Sequence, residues 1–152
     1  MTRFENESFT EREKELGDTS ERVFEAWAQK NNVPFVRFGF NRPPFQKFYR
    51  VNELLRLIPD YVCEGPKETV LVEVKGCGRE GLKIKDQTLV ALDHWSDYNR
   101  VFIFVYNSSF KQYSFFPLEQ LVALCEGKPK LAFPDGKEFV VISNNEITWE
   151  TP

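Results

Sequence analysis

A chain of 152 residues with 41 % hydrophobic and 28 % charged side chains fits one folded domain and excludes a disordered or fibrous protein. No apolar run approaches the roughly 20 residues of a membrane span, and the charged stretch 1–18 excludes a secretory signal, so a cytoplasmic chain with no membrane partner is expected. Cys63, Cys77 and Cys125 form no CxxC pair and His94 is the sole histidine, which rules against a disulfide framework or a zinc site.

Acids crowd the N-terminus at Glu5, Glu7, Glu11, Glu13 and Glu15, marking residues 1–16 as a charged extension of a single 1–152 domain. Over residues 18–31, Val23, Phe24, Trp27 and Ala28 share one helical face; Gly17 is expected to break this helix from a charged one over 10–16. Residues 35–40 read as a strand, followed by a Pro-containing loop and a short helix over 51–57. Strands are expected at 60–63 and 69–75, joined by a Gly- and Pro-bearing turn, with Gly76-Cys77-Gly78 stopping the second. Leu89, Leu92 and Trp95 set a helix over 84–98, and the apolar run 100–106 reads as a buried strand. A strand at 112–116 comes next, then a helix opened by Pro117 and ending at Cys125. A closing hairpin pairs 137–142 with 146–149.

The net charge of −3 speaks mildly against a nucleic-acid ligand, but its distribution matters more than its total. Between residues 33 and 58, Arg37, Arg42, Lys47, Arg50 and Arg56 stand against the single acid Glu53, and Arg79, Lys83 and Lys85 follow Lys75 in a second basic run. Of these, Arg37, Arg42, Lys47, Arg50, Arg79, Lys83 and Lys85 are candidate phosphate contacts. Phe35, Phe38, Phe40, Phe45, Phe48 and Tyr49 interleave with the first run; they are either core residues or platforms for stacked bases.

The chemistry-bearing pattern is Pro59-Asp60 followed by Glu73-Val74-Lys75. Alternation on a strand puts Glu73 and Lys75 on one face and Val70, Val72 and Val74 on the other. Directly opposed residues of an antiparallel hairpin have a constant sum of numbers. A turn centred between Pro66 and Lys67 therefore sets Asp60 opposite Glu73, with Cβ atoms about 4.5–5.5 Å apart. Two facing carboxylates repel unless a cation lies between them, and a hard divalent ion would serve. A shift of one residue would put the two acids on opposite faces.

Blander readings stand beside this one. Asp60 is also a reasonable turn residue, and Glu73 with Lys75 a reasonable surface ion pair worth under about 1 kcal/mol. Asp18-Thr19-Ser20-Glu21 fits a capping box in which Glu21 only satisfies a helix start, and Glu25 lies one turn on as the other candidate helix acid. His94 reads as packed beside Trp95.

Pro59-Asp60 with Glu73-Val74-Lys75 resembles the PD-(D/E)XK motif of the restriction-endonuclease-like nucleases. Gly17-x-x-x-Glu21 resembles the G-x-x-x-E of Holliday-junction-resolvase-like members, and Gln87 the Gln that often follows the motif lysine. The resemblance covers residues 17–106. It implies an α/β fold whose restriction-endonuclease-like core is a central mixed β-sheet flanked by helices in the order αβββαβ. It also implies a Mg²⁺-dependent deoxyribonuclease, with Mn²⁺ as substitute. Asp60, Glu73, the Val74 carbonyl and Glu21 would hold the ion, Lys75 would position or deprotonate a water, and Gln87 would orient it. DNA is the implied partner, a homodimer would suit two-strand cutting, and a protein partner is also compatible. Restriction-like, resolvase-like and exonuclease-like modes share these residues. A nucleic-acid-binding or assembly module without cleavage of its own, or an RNA-directed nuclease, are the alternatives.

Overall fold

A computed structural model describes residues 9–38 and 52–152. Helix α1 (Phe9–Lys30) leads to strand β1 (Phe35–Arg37), short helix α2 (Glu53–Arg56), and strands β2 (Tyr61–Glu64) and β3 (Thr69–Cys77). Strand β4 (Leu82–Lys85), helix α3 (Asp86–Ser96), strands β5 (Val101–Asn107) and β6 (Gln112–Pro117) and helix α4 (Leu118–Cys125) follow. Strands β7 (Leu131–Ala132) and β8 (Glu138–Ile142) close the fold. No helix among the described residues is long and apolar enough to cross a membrane.

Five strands in the order β1-β2-β3-β5-β6 make a mixed sheet in which only β3 and β5 run parallel. α1 lies on one face, where Phe24 and Ala28 pack against Tyr61, Cys63, Val72, Val74 and Phe104. The opposite face carries Leu71, Ile103, Val105 and Phe116 against Leu92 of α3, Leu121 of α4 and a second, three-stranded sheet ordered β4-β8-β7. β5 is bordered by a strand on both sides and covered on both faces, which accounts for its unbroken apolar run. Within this frame α1, β1, β2, β3, α3 and β5 reproduce the expected αβββαβ order, with α2 and β4 as additions.

Four local expectations need correcting. Gly17 does not break the first helix: α1 runs through it unbroken, at an exposed position where a Cβ would meet nothing within 4 Å. β3 passes Gly76 and ends at Cys77, because its backbone stays paired with β5 through Cys77↔Asn107. Residues 84 and 85 do not start the helix but end a strand over 82–85; Leu82 and Ile84 are buried and Lys83 exposed, a period-two pattern. It is set by the turn at Gly78–Gly81, where Gly81 has φ +93° and any side chain would strike the Ile142 carbonyl. Finally, β8 pairs with β4 and β7 rather than with residues 146–149, which run from the end of a 3-10 turn (Asn144–Glu146) and precede a bridge from Glu150 to Tyr113.

Candidate active site

The β2–β3 register is Tyr61↔Val72, Val62↔Leu71, Cys63↔Val70 and Glu64↔Thr69, the pairing of a turn centred between Pro66 and Lys67. Asp60 is the next residue outward on β2 and Glu73 the next on β3, so the two carboxylates meet across the strand pair. Asp60 is fixed twice over. Its carbonyl accepts from the Phe38 N–H at 2.6 Å, and its Oδ2 accepts from the Val74 N–H at 2.8 Å. The second bond exists because β2 has ended: the position that would pair with Val74 is Pro59. α2, just before this point in the chain, is tied to α3 by the Trp95 indole N–H donating to the Leu54 carbonyl at 3.0 Å.

A strand residue's N–H and C=O leave the same edge, and alternate residues take alternate edges. Leu71 N–H donates toward β5, to the Arg100 carbonyl at 2.8 Å, so the odd-numbered residues of β3 face β5 and Val74 faces β2. The Val74 carbonyl therefore opens on the edge that carries Asp60, beyond the last β2 pair. The arrangement offers two carboxylates and one main-chain carbonyl along one short edge.

Glu73 is buried at 8 % exposure. Burial, then the facing Asp60 charge, raises its carboxyl well above the usual carboxylate range; Lys75 pulls it down, while a hydrogen bond to Asp60 and the Glu21 charge add to the rise. Two acids in hydrogen-bond contact in a desolvated spot must share a proton or a cation. Tyr61, next in chain to Asp60 but on the α1 face, is fully buried, and its hydroxyl has no hydrogen-bond partner among the described residues. Its pKa is raised chiefly by burial, then by Glu21 and Glu25 and, less, by Asp60, with Arg37 opposing.

Glu21 lies in the interior of α1, twelve residues beyond its start at Phe9, so there is no helix N-terminus there for it to cap. It bears on both Glu73 and Tyr61, whereas Glu25 bears on Tyr61 and is no cause of the Glu73 shift. Its Oε2 accepts from Arg37 Nη2 of β1 at 2.6 Å. Lys75 is half-buried on the Glu73 face. Gln87 occupies the first turn of α3, and no hydrogen bond links it to the acids among the described residues. His94 packs edge-on against Trp95 and Tyr98, as a structural residue does.

Of the candidate phosphate contacts, Arg37 is at the site, Arg79 is exposed in the β3–β4 turn, and Lys83 and Lys85 lie on the outer side of β4 over the Phe139 and Phe133 rings. Arg42, Lys47 and Arg50, with the aromatic positions 40, 45, 48 and 49, lie outside the described residues. An apolar cleft of about 340 Å³ opens at the far, turn end of β2 and β3, lined by Trp27, Cys63, Val70 and Phe102, and none of the candidate catalytic residues lines it. Sequence reasoning missed Tyr61 and the Arg37–Glu21 pair. Alternation alone places Tyr61 on the α1 face, but no spacing rule marks a hydroxyl that will lack a partner.

Among the described residues no three Asp, Glu, His or Cys side chains converge to cage an ion. Mg²⁺ does not need a cage: it is commonly held by one or two carboxylates, with water and phosphate completing its shell. Asp60, Glu73 and the Val74 carbonyl are such a set.

No protein-family model and no curated protein matches the chain. Among solved structures it is similar to Hjc, a Holliday junction resolvase from the archaeal hyperthermophile Archaeoglobus fulgidus, at 16 % identity and TM-score 0.50, over 82 % of this chain and 88 % of that one. It is also similar to a nuclease from a fusselovirus at 9 % identity and TM-score 0.50, over 95 % of this chain and 88 % of that one. At such identities the likeness is one of architecture: the chain has the restriction-endonuclease-like fold, a central mixed sheet flanked by helices.

Proposed function

We propose that this chain is a single-domain, divalent-metal-dependent nuclease that hydrolyses DNA phosphodiester bonds. The observation that carries the reading is the Asp60–Glu73 register, which sets two carboxylates face to face beside Lys75 on a fold shared with two nucleases. Asp60, Glu73 and the Val74 carbonyl would hold Mg²⁺ or Mn²⁺, with Glu21 as the further acid. Such an ion supplies Lewis-acid polarisation of the phosphate and lowers the pKa of water.

The chain's own residues do the rest. The Val74 N–H holds Asp60 in one rotamer, so the carboxylate is positioned before any ligand arrives. Lys75 presents an ammonium on the Glu73 side, where it orients the attacking water and offsets charge gathering on the phosphate oxygens. Water adds to phosphorus, the phosphorus–oxygen ester bond breaks, and the leaving oxygen takes a proton. Arg79, Lys83 and Lys85 would contact the flanking phosphates, with Arg42, Lys47 and Arg50 as further candidates, and Gln87 would orient the water. A homodimer would bring two such sites to two strands.

The test is cleavage of a panel of linear duplex, single-stranded and branched DNA and of RNA, with Mg²⁺, Mn²⁺ or EDTA, beside Glu73→Ala. Metal-dependent cutting of DNA that Glu73→Ala abolishes is the expected result, and the preferred substrate identifies the cleavage mode. Retained binding with no cutting of any substrate would overturn the enzyme reading in favour of a binding module. Cutting of RNA alone would overturn the DNA assignment.

A further inference from the structure

The acids at the site are not all held alike. Asp60 and Glu73 face one another, while Glu21 is engaged by the Arg37 guanidinium at 2.6 Å. The pair joins two elements, α1 and β1, and straddles the surface: the Arg37 side chain is 55 % exposed and that of Glu21 20 %. Arg37 is thus a cation with one end on a site acid and the other open to solvent, in a chain whose proposed substrate is a polyanion. Tyr61 adds an independent observation. Its buried hydroxyl feels the charges of Glu21, Arg37 and Asp60 yet finds no acceptor among the described residues. A buried unsatisfied donor costs about 1–3 kcal/mol, and costs of this kind gather at functional sites.

Building on the metal-site reading above, we propose that Arg37 is a positioning residue that serves as resident counter-cation of Glu21 and couples divalent-metal loading to nucleic-acid binding. In the free protein the guanidinium competes with the ion for Glu21. A phosphate arriving from a nucleic-acid backbone offers Arg37 a bidentate acceptor of higher charge, and Glu21 is released to the ion. No covalent step is involved; one cation replaces another. By linkage, whatever binding of the nucleic acid does for the metal, the metal does for the nucleic acid. Coupling of this kind ordinarily amounts to about 5–150-fold in affinity.

The experiment reads Mn²⁺ affinity by electron paramagnetic resonance, in the absence of nucleic acid, for the full chain, Arg37→Gln, Arg37→Lys, Glu21→Gln, Glu73→Gln and Arg37→Gln combined with Glu21→Gln. Duplex affinity is measured alongside by anisotropy, and a melt confirms that each variant folds. Arg37→Gln is expected to bind Mn²⁺ about tenfold more tightly and duplex more weakly, within the ordinary range of coupling. Arg37→Lys keeps a cation and is expected to stay within about threefold of the parent, below the range of an ordinary coupling. The gain must vanish in the Glu21→Gln background, which separates release of Glu21 from the mere loss of a nearby positive charge. Unchanged or weaker Mn²⁺ binding by Arg37→Gln overturns the coupling, as does a gain that survives without Glu21. If Glu73→Gln binds Mn²⁺ as tightly as the parent, the metal-site reading itself fails. If it binds weakly while Arg37→Gln is unchanged, that reading stands and only the coupling falls.

Discussion

The nine residues of β3 carry one buried polar arrangement at their middle and another, of opposite character, at their end. At Glu73 an acid faces an acid, and a neighbouring tyrosine hydroxyl lacks a partner among the described residues. At Cys77 and Gly78 the hydrogen bonds close on themselves. Asn107, fully buried, donates to the Gly78 carbonyl and to Asn144 Oδ1 and accepts from the Ser109 and Phe110 N–H groups. Asn144 in turn donates to the Gly78 and Arg79 carbonyls, Ser108 Oγ donates to the Cys77 carbonyl, and the Trp149 indole donates to the Asn144 carbonyl. A fully satisfied network rigidifies, and a poorly satisfied one stores cost. One strand therefore holds a strained pair in place with a lock at its end, and local rules fail at the position where chemistry is proposed.

The comparison breaks first under substitution of the acids. Glu73→Gln and Asp60→Asn should each reduce cleavage by about a thousandfold or more, the order expected when a group stabilising the transition state is lost. Neither should lower Tm in EDTA, since each removes a repulsion. A variant that melts markedly earlier while still cutting at the parent rate would make the pair structural. Asn107→Ala is the mirror experiment. It strips four buried bonds at once and should cost about 2–4 kcal/mol, or roughly 5–12 °C in Tm for a chain of this size. Its Mn²⁺ affinity should change far less than that of Glu73→Gln; an equal loss would mean that the network and the site are one unit.

How much of this was legible beforehand follows from how local each determinant is. Asp60, Glu73 and Lys75 could be placed because a short turn sets hairpin register from residues within it, and Pro66–Lys67 fell where the arithmetic needed it. β5 was legible from its own apolar run. β4 was not, since Leu82-Lys83-Ile84-Lys85 abuts a helix and its partner β8 lies far along the chain. The misread hairpin has the same origin: Ile147 and Trp149 look like strand residues but are drawn into the core facing β4 and β8. Asn107 carries no sequence mark at all, because its meaning depends on Asn144 and the Gly78 turn arriving from elsewhere. Glu21 was ambiguous for a different reason. Asp18-Thr19-Ser20-Glu21 has the pattern of a capping box, but the helix runs on through Gly17, so there is no helix start there to cap.

A smaller effect sharpens the contrast by pH. Glu73 has a folded-state pKa above its ordinary value, so its contribution to stability is whole below the ordinary carboxylate range and is lost as pH rises through the raised value. Glu146 is the opposite case. Its carboxyl is lowered chiefly by its hydrogen bond from Lys128 and then by the Ser143 backbone, so its contribution is present above the ordinary range and lost as pH falls through the lowered value. The two windows lie on either side of an ordinary Glu at about 4.3. In EDTA, Tm should therefore decline as pH climbs above that point, and Glu73→Gln should flatten the decline. Mg²⁺ should restore Tm most at the upper end, where the ion need displace no proton. A decline that survives in Glu73→Gln would assign it to other groups.

The smallest expected change lies outside both regions and tests the element that carries Glu21. Gly17 sits inside α1, exposed, with open space where a Cβ would stand. In a continuous helix Gly17→Ala removes unfolded-state freedom without a clash and should stabilise the chain by about 0.5–1 kcal/mol. Had the helix begun at residue 18, alanine would replace a residue outside it and bring no such gain. Because Glu21 lies one turn along the same helix, the substitution also asks whether firmer α1 geometry alters the site. With Glu21 held from β1 by Arg37 rather than by its own helix end, Mn²⁺ affinity should stay at the parent value while Tm rises by a few degrees. A rise in Tm accompanied by a shift in Mn²⁺ affinity would show that α1 sets the acid's position directly, and that the strain at Glu73 reaches into the helix.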